Sequence, residues 1–239
     1  MVIAEQLKEK LRAVPDGIVL TLQDFNVDPQ YEATLVKALN RLVAQGDLQK
    51  VSKGRYYKPR RTMFGTLKPA TTEIAKDFLE KGGKLVGYIT GTAAFASMGL
   101  TTQITSSIMV GSNKYRRPLK RGEYSILFLL QQNPITEENI PLLRVLDAIK
   151  LIREIPGTTP DECVERIGKI IVEFSAKEQQ SLYLLAEQYT PYVRALLGAI
   201  MEKMKIDTFD LKSSLNGVTT YKLPISDIIL PTKQNWNIL

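Results

Sequence analysis

QYEATLVKALNRLVAQGDLQKVSKGRYYKPRR, residues 30–61, is the stretch on which the reading of this chain turns. Its first half predicts a helix from about Gln30 to Ala44, because Leu35, Leu39, Leu42 and Val43 recur at helical spacing on one face. Gly46 stands where a left-handed residue closes a helix. The second half, Leu48 to Pro59, predicts two short strands around a turn at Ser52-Lys53-Gly54. Opposite the leucines the helix offers Gln30, Tyr31, Thr34, Lys37 and Arg41, hydrogen-bonding side chains of the kind that read base edges in a major groove. Residues 48–61 carry Lys50, Lys53, Arg55, Lys58, Arg60 and Arg61 and no acid, which suits the clamping of phosphates. Tyr56 and Tyr57 alternate along their strand, so one is expected to pack inward and the other to face out.

Toward the N-terminus, Leu7, Leu11 and Val14 mark a helix that Pro15-Asp16-Gly17 ends. Ile18-Val19-Leu20 reads as a short strand, and Thr21 with Asp24 opens a short helix closed near Phe25 by the turn Asn26-Val27-Asp28-Pro29. Helix, strand, helix, turn, helix, hairpin is the order of a winged helix-turn-helix, here 1–61, with double-stranded DNA as the expected partner. The plainer alternative is an ordinary amphipathic helix beside a solvated basic hairpin, since winged-helix folds also bind protein.

A second domain is expected over 66–239. Its predicted elements are a helix over 72–81, a strand near Leu85–Ile89, a helix Thr92–Met98 stopped by Gly99, and strands near Ile104–Val110 and Tyr124–Leu130. Beyond Pro134 the pattern turns helical. Thr159-Pro160-Asp161-Glu162 supplies a cap and Pro at the first turn, Ser175 with Glu178 forms a capping box, and Thr190-Pro191 starts a further helix. Asn216-Gly217 between Leu211–Leu215 and Val218–Leu223 predicts a hairpin, and Trp236 with Asn237-Ile238-Leu239 is expected to dock the C-terminus. The expected fold class is α+β: an N-terminal winged helix-turn-helix, then a larger mixed domain with a small antiparallel sheet and a C-terminal helical cluster.

Charge divides the same way. Residues 1–122 hold 20 Lys/Arg against 10 Asp/Glu, whereas residues 123–239 hold 12 against 15, so only the front half favours a polyanion. A second basic stretch, Lys114, Arg116, Arg117, Lys120 and Arg121, reads either as solvated edge-strand charge or as a further backbone contact. The chain has no histidine, which excludes Ser/His/Asp and Cys/His nucleophile systems. Its one cysteine, Cys163, falls on a predicted helix as a buried thiol, and without histidine the common zinc sites cannot form. Gly111-Ser112 lacks the carboxylate pair a nucleotidyltransferase needs, and Gly82-Gly83-Lys84 lacks the spacing of a phosphate loop. No catalytic residue, metal or cofactor is expected. MVIAEQLKEKLR lacks the apolar core of a signal peptide and no run is long enough to span a bilayer, so a cytoplasmic location is expected.

The segment Leu35, Ala38-Leu39-Asn40-Arg41-Leu42, Gly46 and Lys53-Gly54-Arg55-Tyr56-Tyr57-Lys58-Pro59 resembles the N-terminal domain of AbiEi-type antitoxins of bacterial type IV toxin–antitoxin (abortive infection) systems. Gly87-Tyr88-Ile89-Thr90-Gly91-Thr92-Ala93-Ala94-Phe95, Gly99-Leu100-Thr101-Thr102-Gln103, Arg116-Arg117 and Tyr124-Ser125-Ile126-Leu127-Phe128 are similar to the second domain of that group. The resemblance implies a transcriptional autorepressor whose winged helix binds inverted repeats at its own promoter. It further implies a second domain that neutralises a nucleotidyltransferase-like toxin without requiring a stable complex.

Overall fold

The computed structural model describes residues 2–239. In chain order the elements begin α1 (Val2–Ala13), β1 (Val19–Thr21), two 3-10 turns (Leu22–Phe25 and Pro29–Tyr31), α2 (Glu32–Gln45), β2 (Gln49–Ser52) and β3 (Arg55–Tyr57). Then come β4 (Arg60–Thr62), β5 (Gly65–Leu67), α3 (Thr71–Leu79), β6 (Glu80–Lys81), β7 (Lys84–Leu85), β8 (Gly87–Thr90) and α4 (Thr92–Ser97). The remainder holds β9 (Ser107–Ser112), β10 (Leu119–Arg121), β11 (Tyr124–Leu130), α5 (Asn139–Lys150), α6 (Pro160–Glu173), α7 (Ala176–Ala186) and α8 (Pro191–Lys203), with 3-10 turns at Lys212–Ser214 and Pro231–Trp236. The class is mixed α+β with small antiparallel sheets. No described helix is long and apolar enough to cross a membrane.

The chain divides into two compact units, Met1–Asp77 with Leu119–Ile126, and Phe78–Pro118 with Leu127–Leu239. The boundary expected between residues 61 and 66 therefore falls inside the first unit, which also takes in most of α3 and a hairpin from much later in the chain. Between the expected domains, where no element is predicted from residue 62 to residue 71, the chain forms the β4–β5 ribbon, with Arg60 opposite Leu67, Arg61 opposite Thr66 and Thr62 opposite Gly65.

In the first unit, Leu35 and Leu39 of α2 are buried with Leu7, Leu48 and Tyr56, and Leu11, Leu22, Phe25, Leu42 and Val43 pack around them. The antiparallel sheet has the order β1-β3-β2. Thr21 caps the first 3-10 turn in a reciprocal box with Asp24, and Asp28 accepts the Gln30 amide at 3.1 Å at the start of the second. Gly46 closes α2 at φ +79°, the left-handed conformation for which glycine has no steric penalty. The outer edge of β1 is not left open: the Val19 amide donates to Glu73 of α3 at 2.9 Å and the Val19 carbonyl accepts from Lys76.

Tyr56 and Tyr57 are both buried, at 1% and 5% exposure, so the expectation that one faces out is corrected. Tyr56 enters the leucine core and its hydroxyl donates to Asn40 at 3.3 Å. Tyr57 lies on the opposite face of the sheet, donates to Gln49, and shares a cleft of about 370 Å³ with Val51, Gly122 and Tyr124. The β10–β11 turn covers that face so closely that a Cβ at Gly122 would collide with the Val51 carbonyl.

In the second unit β8 pairs antiparallel with β9, from Gly87 opposite Ser112 to Thr90 opposite Met109. In the first unit β10 pairs antiparallel with the start of β11, from Leu119 opposite Ile126 to Arg121 opposite Tyr124. Leu143, Leu146 and Ile149 of α5, Ile167 and Ile171 of α6, Leu182 of α7 and Leu196 and Ile200 of α8 form the core, together with Trp236 and Ile238. Trp236 is docked as expected, its indole donating to Glu202 at 2.6 Å. The hairpin expected at Asn216-Gly217 does not form. Asn216 makes a local turn to the Val218 amide at 2.9 Å, and the backbone of Tyr221 and Leu223 bonds to Asn237 and Leu239 instead.

Candidate nucleic-acid interface

The apolar face of α2 is committed to the core, which leaves the opposite face in solvent. Gln30, Tyr31, Thr34, Lys37 and Arg41 are all exposed, Thr34, Lys37 and Arg41 falling at i, i+3 and i+7 along one stripe. Beside it the β2–β3 hairpin turns at Lys53-Gly54, with Lys53 exposed. Lys50, opposite Tyr56 in the register, lays its ammonium 5.7 Å from the Tyr56 ring centroid and stays exposed.

Three of the other cations of residues 48–61 have intramolecular partners. Arg55 pairs with Asp77 at 3.0 Å and Lys58 with Asp16 at 3.0 Å. Arg61 donates to the carbonyl of Gly46, the residue that closes α2, at 2.8 Å. Among the described residues, Lys37, Arg41, Lys50, Lys53 and Arg60 pair with no acid. A cleft of about 720 Å³ is lined by Pro29 of the second 3-10 turn, by Glu32 at the start of α2 and by Lys53 and Arg55 of the hairpin, and Asp24, Glu32 and Asp77 balance its cations.

Asp77 organises this side of the unit and nothing in its local sequence marks it. Besides Arg55 it takes both terminal nitrogens of Arg121, at 2.5 and 2.6 Å, and Arg121 also donates to the Ile74 carbonyl at 2.6 Å. Partial burial pushes the Asp77 carboxyl upward, but the hydrogen bonds and charge of Arg121, with Arg55 adding, bring it below the ordinary carboxylate range.

The second basic stretch is shared between the two units. Lys114, Arg116 and Arg117 belong to the second unit and Lys120 and Arg121 to the first. Arg121 is buried at 5% exposure in its Asp77 pair, contrary to a solvated edge charge. The Arg116 guanidinium lies 5.1 Å from the Phe78 ring and 5.9 Å from the Phe128 ring. Lys114, Arg117 and Lys120 are exposed.

A buried polar cluster in the second unit escaped sequence reasoning, because its members are far apart in the chain. Asp147, fully buried, accepts from Tyr88 at 2.7 Å, Thr90 at 2.8 Å and Tyr189 at 2.8 Å. The Gln131 amide donates to both tyrosine hydroxyls, at 2.9 and 2.8 Å. Burial raises the Asp147 carboxyl, with the three hydroxyl bonds opposing, and raises both tyrosines. With its polar atoms satisfied internally, the cluster is a structural device that fixes β8, α5 and the end of α7 in register. Cys163 is likewise buried, and burial pushes its thiol up, away from thiolate chemistry.

Residues 6–178 match the model of a family described as a family of unknown function, DUF6088. No curated protein matches the sequence. Among solved structures the RV2827C protein from Mycobacterium tuberculosis is similar, with a TM-score of 0.61 and 11% sequence identity over 92% of this chain and 84% of that one. At that identity the likeness concerns the fold alone.

Proposed function

We propose that this chain, which belongs to DUF6088, a family of unknown function, carries a winged helix-turn-helix in its first unit and binds double-stranded DNA with it. One observation carries the reading: Thr34, Lys37 and Arg41 on α2, with Gln30 and Tyr31 of the turn that leads into it, are exposed beside a hairpin that has no acid. In this reading α2 enters the major groove, the β2–β3 hairpin is the wing, and Lys50, Lys53 and Arg60 meet phosphates. Five uncommitted cations, counting Lys37 and Arg41, set the expected salt dependence. With a slope of about −0.9 per phosphate, affinity should fall roughly 500-fold between about 50 and 200 mM salt.

Fluorescence anisotropy of the full chain on the DNA upstream of its own gene tests this. Lys37→Ala and Arg41→Ala should weaken binding to that site selectively, whereas Lys53→Ala should weaken every sequence alike. Binding with almost no salt slope, or indifference to all three substitutions, would overturn the reading.

On the resemblance of its motifs to AbiEi-type antitoxins, we further propose that the protein represses its own operon and neutralises a nucleotidyltransferase-like toxin encoded beside it. The doubly substituted Lys37→Ala, Arg41→Ala protein should lose repression and still rescue cells expressing that toxin. Failure of the wild type to rescue removes the antitoxin part. For a regulator with no toxin, whose second unit senses a ligand or dimerises, the ligand-sensing form is favoured by one feature: a cleft of about 410 Å³ is lined by Lys150, Arg153 and Lys222 against the single acid Glu154, together with Tyr192 and Tyr221. Anionic metabolites that raise the melting temperature in wild type but not in Arg153→Ala would favour it.

A further inference from the structure

We propose that the β4–β5 ribbon is a second DNA-contacting element, which wedges Met63 and Phe64 between base pairs from the minor groove and kinks the duplex; this rests on the duplex-binding reading above. Met63 and Phe64 form the two-residue tip of the ribbon and are 90% and 92% exposed. Ile104, Val218 and Ile228 are as exposed, but each stands alone, which is ordinary for a protein surface. Here two large apolar side chains are adjacent at the end of a narrow projection, with Leu67 on the same ribbon 47% exposed.

Turn geometry does not ask for them. Neither residue has a positive φ, and the conformational demand falls on Gly65 at φ +116°. Small polar residues would serve such a tip at least as well. The turn is also held in shape without a partner: the Thr62 hydroxyl donates to the Gly65 carbonyl at 2.9 Å and accepts the Phe64 amide at 3.3 Å. The apolar tip is therefore presented on a formed support.

The surroundings select nucleic acid over an apolar protein pocket. Arg60 and Arg61 lie on the first strand and no acid occurs in the sequence between Asp47 and Glu73. Lys68, which follows the second strand, is paired with Glu123 at 2.7 Å, so Arg60 is the ribbon's cation that, among the described residues, has neither an acid partner nor a hydrogen bond. Arg61 fastens the root of the ribbon to the Gly46 carbonyl at the end of α2, so a helix seated in one groove would carry the tip with it. An apolar wedge of Phe and Met flanked by arginines has the composition with which proteins unstack a base step and bend the duplex toward the major groove. Flexible TA and CA steps would be the easiest to open.

The test uses the full chain and a duplex from upstream of its own gene, end-labelled with a fluorescence-transfer pair and carrying 2-aminopurine at its TA steps. Wild type should raise both transfer efficiency and 2-aminopurine emission. Met63→Ser with Phe64→Ser should keep the salt slope and lose both signals, with affinity about tenfold to a hundredfold weaker. Phe64→Leu, which keeps a wedge, should retain both signals. Circular dichroism melts of the variants should match wild type, since the tip touches no core. If wild type binds and neither signal rises, or the double serine variant keeps them, the wedge is overturned. It is equally overturned if that variant bends DNA normally but loses a concentration-dependent mass in sedimentation, because the tip then serves protein association. If wild type shows no salt-dependent binding at all, the duplex reading itself has failed.

Discussion

Asp77→Asn should weaken the fold and strengthen DNA binding at the same time. The carboxylate holds Arg121 through two bonds, at 2.5 and 2.6 Å, and Arg55 through a third at 3.0 Å. Removing one side of a buried ion pair costs about 3–5 kcal/mol. Two features reduce that: the Asp77 side chain is 42% exposed, and Arg121, 6% exposed, keeps its bond to the Ile74 carbonyl. Roughly 2 kcal/mol remains after screening, a urea midpoint shift of about 1 M. The pH dependence follows from the same bonds. The folded carboxyl sits below its unfolded value, so its contribution is complete above about pH 4 and is lost as pH falls through the folded value. Wild type and variant should therefore converge in stability as pH falls below about 4. Releasing Arg55, whose side chain is 26% exposed, adds a cation beside α2 and should steepen the salt slope by about 0.9. Equal urea midpoints at neutral pH would refute the energetic argument, and an unchanged salt slope would take Arg55 out of the interface.

Other perturbations separate local from distant effects. Asp147→Ala strands three buried hydroxyl donors, Tyr88, Thr90 and Tyr189, and should cost about 3 kcal/mol, seen as a melting temperature lower by roughly 6–12 °C. Its pH signature has the opposite sign to that of Asp77. Burial raises the folded carboxyl, so the unfolded chain ionises first and wild type loses stability as pH rises from about 4; thermal melts of the alanine variant should lack that loss. Gly198→Ala improves helix propensity in α8 but drives a Cβ into the Trp236 ring, and should cost about 1–3 kcal/mol and shift tryptophan emission. An unaltered melt would mean the C-terminal segment relaxes freely.

What was legible in the sequence is what lies within about one helical turn of itself. Thr159 and Ser175 cap α6 and α7 in reciprocal boxes with Glu162 and Glu178, and Gly46 ends α2 in the left-handed conformation. Each depends on residues three or four positions apart, so the pattern and the cause coincide. Asn216-Gly217 shows the limit. Its local preference for a hairpin is real, yet the strand it would have paired is bonded to Asn237 and Leu239. A few tenths to one kcal/mol of turn preference does not outweigh a segment that places Trp236 and Ile238 in the core. Tyr57 is the same case within one strand, where alternation separates the two tyrosines onto opposite faces of the sheet but cannot show that residues 119–126 cover the second face and bury Tyr57 there.

The candidate site was legible in its positions and not in its charge. Reading Leu35 and Leu39 as buried makes Thr34, Lys37 and Arg41 exposed by helical geometry alone, and all three are. Counting cations over residues 48–61 gives six, but Arg55, Lys58 and Arg61 answer to Asp77, Asp16 and Gly46, partners that lie outside the hairpin. A cation with an acid at 3.0 Å must first give up that pair before it can serve a phosphate, whereas Lys53 and Arg60 need give up nothing comparable. The electrostatic part of binding should thus track the five uncommitted side chains, not the sequence total. The committed ones have a second effect: Lys58 and Arg61 tie the hairpin and ribbon to the α1–β1 turn and to the end of α2, which holds the free cations in fixed register with the stripe on the helix.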